Sequence, residues 1–169
     1  ADQAESPGGA ARPRFHLIGH LQTNKAKLAA QLFDWIHSVD SARVGEALDR
    51  ACKALNRESI NILIQVNISG EDTKSGVAPG EAQALLETLA RLPRLRVRGL
   101  MTMAPFEEDP ERARPVFRGL RELRDRLARS HIPGADLEEL SMGMTGDFEV
   151  AVEEGATFVR IGTAIFQTD

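Results

Sequence analysis

The sequence predicts an α/β protein: a (β/α) barrel, here incomplete, with about six of the usual eight βα units. Three observations lead there. From Phe15 onward, short apolar runs alternate with longer amphipathic stretches, the order expected of a parallel sheet covered by helices. In the run 60–68, Ile60, Ile62, Ile64, Val66 and Ile68 alternate with Asn61, Leu63, Gln65 and Asn67, so one face meets helices and the other carries polar groups. A barrel lumen that ends in a polar site accommodates Gln65 and Asn67 better than an open sheet buried on both faces. Finally, 169 residues suit one domain and are hard to stretch to two.

Residues 1–14 mix Ala, Gly, Pro and Ser without a period and are expected to form an irregular tail or loop, leaving 15–169 as the partial barrel. Strands are expected at 15–18, 35–39, 60–68, 95–101, 137–142 and 157–161, where short runs are rich in Ile, Val, Leu and Phe. Helices are expected between them. Residues 42–55 put Val44, Leu48, Ala51 and Leu55 on one face, 80–92 do so with Ala82, Leu85, Leu86 and Leu89, and 111–129 with Phe117, Leu120, Leu123 and Leu127. Asp109 followed by Pro110 makes an N-cap and first-turn pair for the third, and Pro79-Gly80 punctuates the start of the second. Shorter helices are expected at 23–32 and 147–154.

Composition narrows the function. Hydrophobic residues at 42% and charged residues at 27% support a core and argue against disorder. Twenty-one basic against 25 acidic side chains give a net charge of −4, the wrong sign for holding nucleic acid over a broad surface. No apolar run approaches the ~20 residues that cross a bilayer, and ADQAESPGG at the start is no signal peptide, so no membrane partner and a cytoplasmic location are expected. The lone Cys52 falls at helical spacing with Leu48, Ala51 and Leu55 and is expected to be a reduced structural thiol. His16, His20, His37 and His131 are scattered, with no metal-ligand spacing among them. No nucleophile triad, Walker loop or HExxH pattern is present, and the pairs Glu107-Glu108, Glu138-Glu139 and Glu153-Glu154 look solvated.

Chemistry concentrates at two strand ends. Ser141-Met142-Gly143-Met144-Thr145-Gly146-Asp147 follows one strand and Gly162-Thr163 the other; both are small, hydroxyl-bearing and able to bring backbone N–H groups close to an anion. These are the last two strands, after which (β/α) barrels frequently hold a phosphate. Arg160 lies inside the apolar run Phe158-Val159-Arg160-Ile161, where a charge that cannot be neutralised needs a partner or a ligand. Alternation puts Phe158, Arg160 and Gly162 on one face. Segment 16–25 packs polar groups just beyond a strand, at the end where barrels keep their sites, or is a plain loop with a helix cap at Thr23; segment 67–76 is expected to border a ligand mouth or a partner surface, with Lys74 solvated, and the four methionines are expected to fill the core near the site.

HLIGHLQTNK at 16–25, LIQVNISGEDTKSGV at 63–77, LRVRGLMTMAP at 95–105, LSMGMTGDFEVAV at 140–152 and VRIGTAIF at 159–166 resemble, in order and spacing, the YggS/PROSC family of pyridoxal-phosphate homeostasis proteins. The resemblance covers about 15–166. It implies a barrel of the alanine-racemase N-terminal type that binds pyridoxal 5′-phosphate in the cytosol, buffers or delivers it in transient contact with apoenzymes that depend on it, and turns over no amino acid. Carried across, Ser141, Gly143, Gly162 and Thr163 would hold the phosphate, Arg160 would face the pyridine nitrogen, and Asn67 would be a ring contact.

Two departures accompany the resemblance. Members of that family begin with two further βα units, the first bearing the lysine that forms the Schiff base; nothing before Phe15 matches either, and Lys25, Lys27, Lys53 and Lys74 lie in other motifs. The chain is therefore expected to be an N-terminal truncation that lacks the covalent anchor. Thr145 stands where a serine is common, and Gln167 replaces a usual glycine. The alternative is a fragment of a racemase or decarboxylase of the same fold, which needs a base such as tyrosine, and this chain has none. A barrel binding a sugar or indole phosphate is a further rival.

Overall fold

A computed structural model describes residues 12–71 and 74–166, so the expectations for 1–11 and for Gln167 lie outside the described residues. Six strands form one sheet in sequence order: β1 (His16–Leu17), β2 (Trp35–Val39), β3 (Ile60–Gln65), β4 (Leu95–Met101), β5 (Ala135–Met144) and β6 (Phe158–Arg160). Every neighbouring pair is parallel. The connections carry α1 (Ala26–Leu32), α2 (Ala42–Ala54), α3 (Ala82–Ala90), α4 (Arg114–Ala128) and α5 (Phe148–Glu153), and α6 (Thr163–Phe166) follows β6.

The sheet curls strongly. The rings of His16 on β1 and Phe158 on β6 approach to 5.4 Å between centroids, although they belong to the two outermost strands. A flat sheet of six strands would hold them ~24 Å apart. The result is a partial barrel with an inner and an outer core. Outside, Ile60, Ile62, Ile64 and Val66 pack with the helices, whose apolar stripes include Phe117, Leu120, Leu123 and Leu127 of α4. Inside, Trp35, Leu63 and Met101 form a separate cluster completed by Phe158.

Local chemistry explains the boundaries. Asp109 Oδ1 accepts from the Glu111 amide at 3.0 Å with Pro110 at the first position, opening a short 3₁₀ turn that leads into α4. The C-terminal carbonyls near α1 are met from a distance: Arg57 Nη1 donates to Ala30 and Phe33 oxygens at 2.6 and 2.7 Å. Gly99 sits where the register of β4 slips against both neighbours, and a Cβ there would strike the backbone of Glu139 on β5. Cys52 is fully buried, and burial pushes its thiol above the usual range. Glu154, expected in solvent, is 3% exposed because Arg114, Arg118 and Arg121 of α4 surround it at 3.1–3.2 Å. No helix among the described residues is long and apolar enough to cross a membrane.

Candidate cofactor site

The site grows from strand alternation. On β2, Trp35 and His37 point into the lumen; on β6, Phe158 and Arg160 do the same, and Ser141 of β5 lies between them. Arg160 Nη1 donates to Ser141 Oγ and Nη2 to the Thr102 carbonyl, both at 2.9 Å. Two of its five N–H groups are thereby placed, and among the described residues no carboxylate lies within ion-pair distance. Burial lowers its pKa, opposed by the charge of Asp147, yet a guanidinium stays protonated at any working pH. A half-buried cation without a counter-ion is what remains.

Ser141 continues into a second polar link. His37 Nδ1 lies 2.9 Å from Ser141 Oγ, and His37 Nε2 lies 2.9 Å from His16 Nδ1. His16 stacks on Trp35 with centroids 5.6 Å apart and ring planes 4° from parallel. Burial above all, then the proximity of His16 and Arg160, pushes His37 down to about 3, so it is neutral at working pH. His16 is also lowered, by burial first, with Asp34 opposing and Arg14 assisting.

Above Arg160 lies a cavity of about 510 Å³ lined by Ile18, Gly19, His20, Gln65, Lys74, Ser75, Met103, Met144 and Arg160. It sits at the C-terminal ends of the strands, the end at which barrels of this type keep their sites. Lys74 is no solvated bystander: its Nζ donates to the Ala104 carbonyl at 3.0 Å, tying the β3–α3 loop to the β4–α4 loop. Gln65 donates to the Ser75 carbonyl at 3.1 Å from beneath that loop. Met103 and Met144 are 39% and 46% exposed at the mouth, whereas Met101 and Met142 fill the core as expected.

The sequence-derived site residues separate into groups. Arg160 lines the cavity. Ser141 does not present its hydroxyl to a phosphate: it is fully buried and committed to Arg160 and His37. Gly143, at φ +90°, turns toward α5, where a Cβ would meet Ala151 Cβ at 2.5 Å. The cause is the register irregularity between Ser141 and Met144, which breaks the alternation that would align Gly143 with Ser141. Asn67 is spent on its own loop, donating to Glu71 and Lys74 carbonyls and accepting from Ser69 and Gly70, and the β3 residue at the cavity is Gln65 instead. Gly162 and Thr163 are exposed at the start of α6, and a Cβ on Gly162 would meet nothing within 4 Å. The exposed Gly162 N–H donates a long hydrogen bond to Thr145 Oγ1 at 3.4 Å, so the two glycine-containing turns adjoin at one rim.

Sequence reasoning missed Thr145 as a participant and passed over the His16–His37 pair. A usable signal existed: in parallel neighbouring strands, an inward His16 registers with Trp35, whose face His37 shares two residues on.

The sequence profile of the alanine racemase N-terminal domain matches residues 5–169. A pyridoxal phosphate homeostasis protein of Aquifex aeolicus is 49% identical over 153 residues, 90% of this chain and 65% of the relative. Solved structures of PipY from Synechococcus elongatus, one without PLP and one with PLP bound, superpose with TM-scores of 0.84 and 0.81 at 40% and 39% identity, covering 91% of this chain and 71% and 70% of theirs. An alanine racemase of Clostridium difficile shares the fold, with a TM-score of 0.76 at 13% identity over 92% of this chain and 40% of its own. The chain thus spans just under two thirds of the length of the Aquifex relative. By the profile match and by these identities, the chain belongs to the alanine racemase N-terminal domain family, grouping with relatives named for pyridoxal phosphate homeostasis.

Proposed function

We propose that this chain binds pyridoxal 5′-phosphate reversibly in the cavity above Arg160, as a module that buffers or delivers the cofactor rather than one that turns over an amino acid. The observation that carries the reading is Arg160 itself, a half-buried guanidinium with no carboxylate partner among the described residues, held from behind by Ser141 and Thr102 and lining a cavity of about 510 Å³. Such a group is stabilised by an acceptor arriving from the cavity side.

The residues fit the cofactor. Arg160 supplies N–H donors to a ring nitrogen, and the rim formed by Thr145, Gly162 and Thr163 offers a hydroxyl and backbone amides to a phosphate. When bound, pyridoxal phosphate supplies an electrophilic aldehyde on an electron-withdrawing ring. Arg160 carries only donors, so it keeps a neighbouring ring nitrogen unprotonated and weakens the ring as an electron sink. That favours holding over turnover. Delivery implies transient contact with apoenzymes, for which the open mouth beside Met103 and Met144 gives access. The PLP-bound PipY structure and the names of the relatives support the same ligand.

Trp35, the single tryptophan, lies in the lumen against His16 and Phe158, so its emission is the natural probe of binding. Titration with pyridoxal 5′-phosphate is expected to quench its emission saturably, with inorganic phosphate competing. Arg160→Ala should weaken binding about tenfold, the loss of one charge-assisted hydrogen bond. Equal affinity in Arg160→Ala would overturn the assignment.

A further inference from the structure

Beneath the cavity, the contacts from Arg160 to His16 run through atoms with no choice of role. Arg160 only donates, so Ser141 Oγ accepts from Nη1 at 2.9 Å. The serine's own proton then has His37 Nδ1, at 2.9 Å, as its partner. The reverse arrangement, with His37 donating from Nδ1, would leave a fully buried hydroxyl proton unmatched. Nδ1 of His37 therefore carries a lone pair and its proton sits on Nε2, which donates to His16 Nδ1 at 2.9 Å. The last proton rests on His16 Nε2. All hydrogen bonds in the row point from Arg160 toward His16.

We propose that His37, backed by His16, is a positioning residue for Arg160: by taking the Ser141 proton, it keeps the serine oxygen available to the guanidinium and so holds the remaining N–H groups of Arg160 toward the cavity. The proposal rests on the cofactor-site reading above for its consequence in binding, but not for the geometry. His37 is itself fixed, 2% exposed and boxed by Trp35, His16 and Phe158 at centroid distances of 6.2, 5.1 and 5.3 Å. A proton on Nδ1 would leave the Ser141 hydroxyl proton without its acceptor and turn it toward the space beside the guanidinium. The charged and titratable groups around the row oppose that proton on balance: Arg160 lies across Ser141 and Arg14 near His16, with Asp34 near His16 and Asp147 near Arg160 as the counterweights.

Two measurements on the full chain test this. In unliganded, ¹⁵N-labelled protein, imidazole spectra should show the Nε2–H tautomer for both His16 and His37, with His37 unprotonated at pH 5. His37→Asn, whose side-chain oxygen accepts the Ser141 proton, should leave the Arg160 guanidinium N–H signals in place, whereas His37→Leu should shift and broaden them. For binding, pyridoxine 5′-phosphate, which lacks the aldehyde, should bind His37→Leu about tenfold more weakly than the parent and His37→Asn within about threefold. An Nδ1–H tautomer at His37, or unchanged Arg160 signals in His37→Leu, overturns the positioning role. The tautomer reading needs no variant, so it decides the matter even if a substitution unfolds the chain. Failure of the parent to bind pyridoxine 5′-phosphate overturns the cofactor reading instead, while the Arg160 signals still decide the positioning role.

Discussion

Two buried titratable residues, His37 and Glu154, carry testable consequences. His37 is neutral in the fold because burial lowers it from 6.5 to about 3, whereas the unfolded chain binds a proton below about 6.5. Between those values the unfolded state holds the extra proton, so stability rises with pH and is lost on acidification, by ~1.4 kcal/mol per pH unit for one group. His37→Asn should remove one proton from that dependence, measured as a shallower fall of urea-derived stability between about pH 6 and pH 4. Glu154 works with the opposite group type. The Arg118 hydrogen bond, helped by Arg114, holds its carboxyl below the usual range against the upward push of burial. Its stabilising effect is full above the unfolded carboxylate pKa and disappears as pH falls through the lowered folded value. Glu154→Gln at neutral pH should cost ~2 kcal/mol, less than the ~3–5 for a wholly buried pair, because the arginines reach solvent. Neither residue was legible as such in the sequence. Glu153-Glu154 reads as a solvated pair until α5 is seen against the arginine row of α4, and His16 and His37 are 21 positions apart until parallel pairing brings them to 2.9 Å.

At the scale of elements, strand order and helix faces were plain from the chain. All six expected strands and the stripes of α2, α3 and α4 appear, because alternation and the 3.6-residue period are local properties that tertiary packing reinforces. What alternation could not supply was the slip of register between Ser141 and Met144. There the assumption that Ser141 and Gly143 share a role fails: one faces Arg160, the other α5. Gly143→Ala would place a methyl against Ala151 at positive φ, and it should destabilise the chain by about 2 kcal/mol, read as a lower urea midpoint. Because Gly143 is a packing position, the affinity of the folded fraction for pyridoxine 5′-phosphate should change much less than in Arg160→Ala. α6 was absent from the expectations because four residues are too few to show a helical period.

For the molecule as a whole, the curl of the sheet does what none of its strands can do alone. It brings β1 and β6 into contact through His16 and Phe158, encloses Trp35, Leu63 and Met101 as an inner core, and leaves Arg160 at the upper end of that core facing open space. The inner polar row is thus supported on both sides by packed rings, while the outer core fastens the helices. In the proposed complex, Arg160 meets a pyridine ring while the Thr145–Gly162 rim meets its phosphate. A crystal structure of this chain grown with pyridoxine 5′-phosphate tests it most directly. The ring nitrogen is expected within hydrogen-bond distance of Arg160 and the phosphate on the Gly162 amide; a ligand bound at the other end of the strands, or with its phosphate on Arg160, would rule that arrangement out.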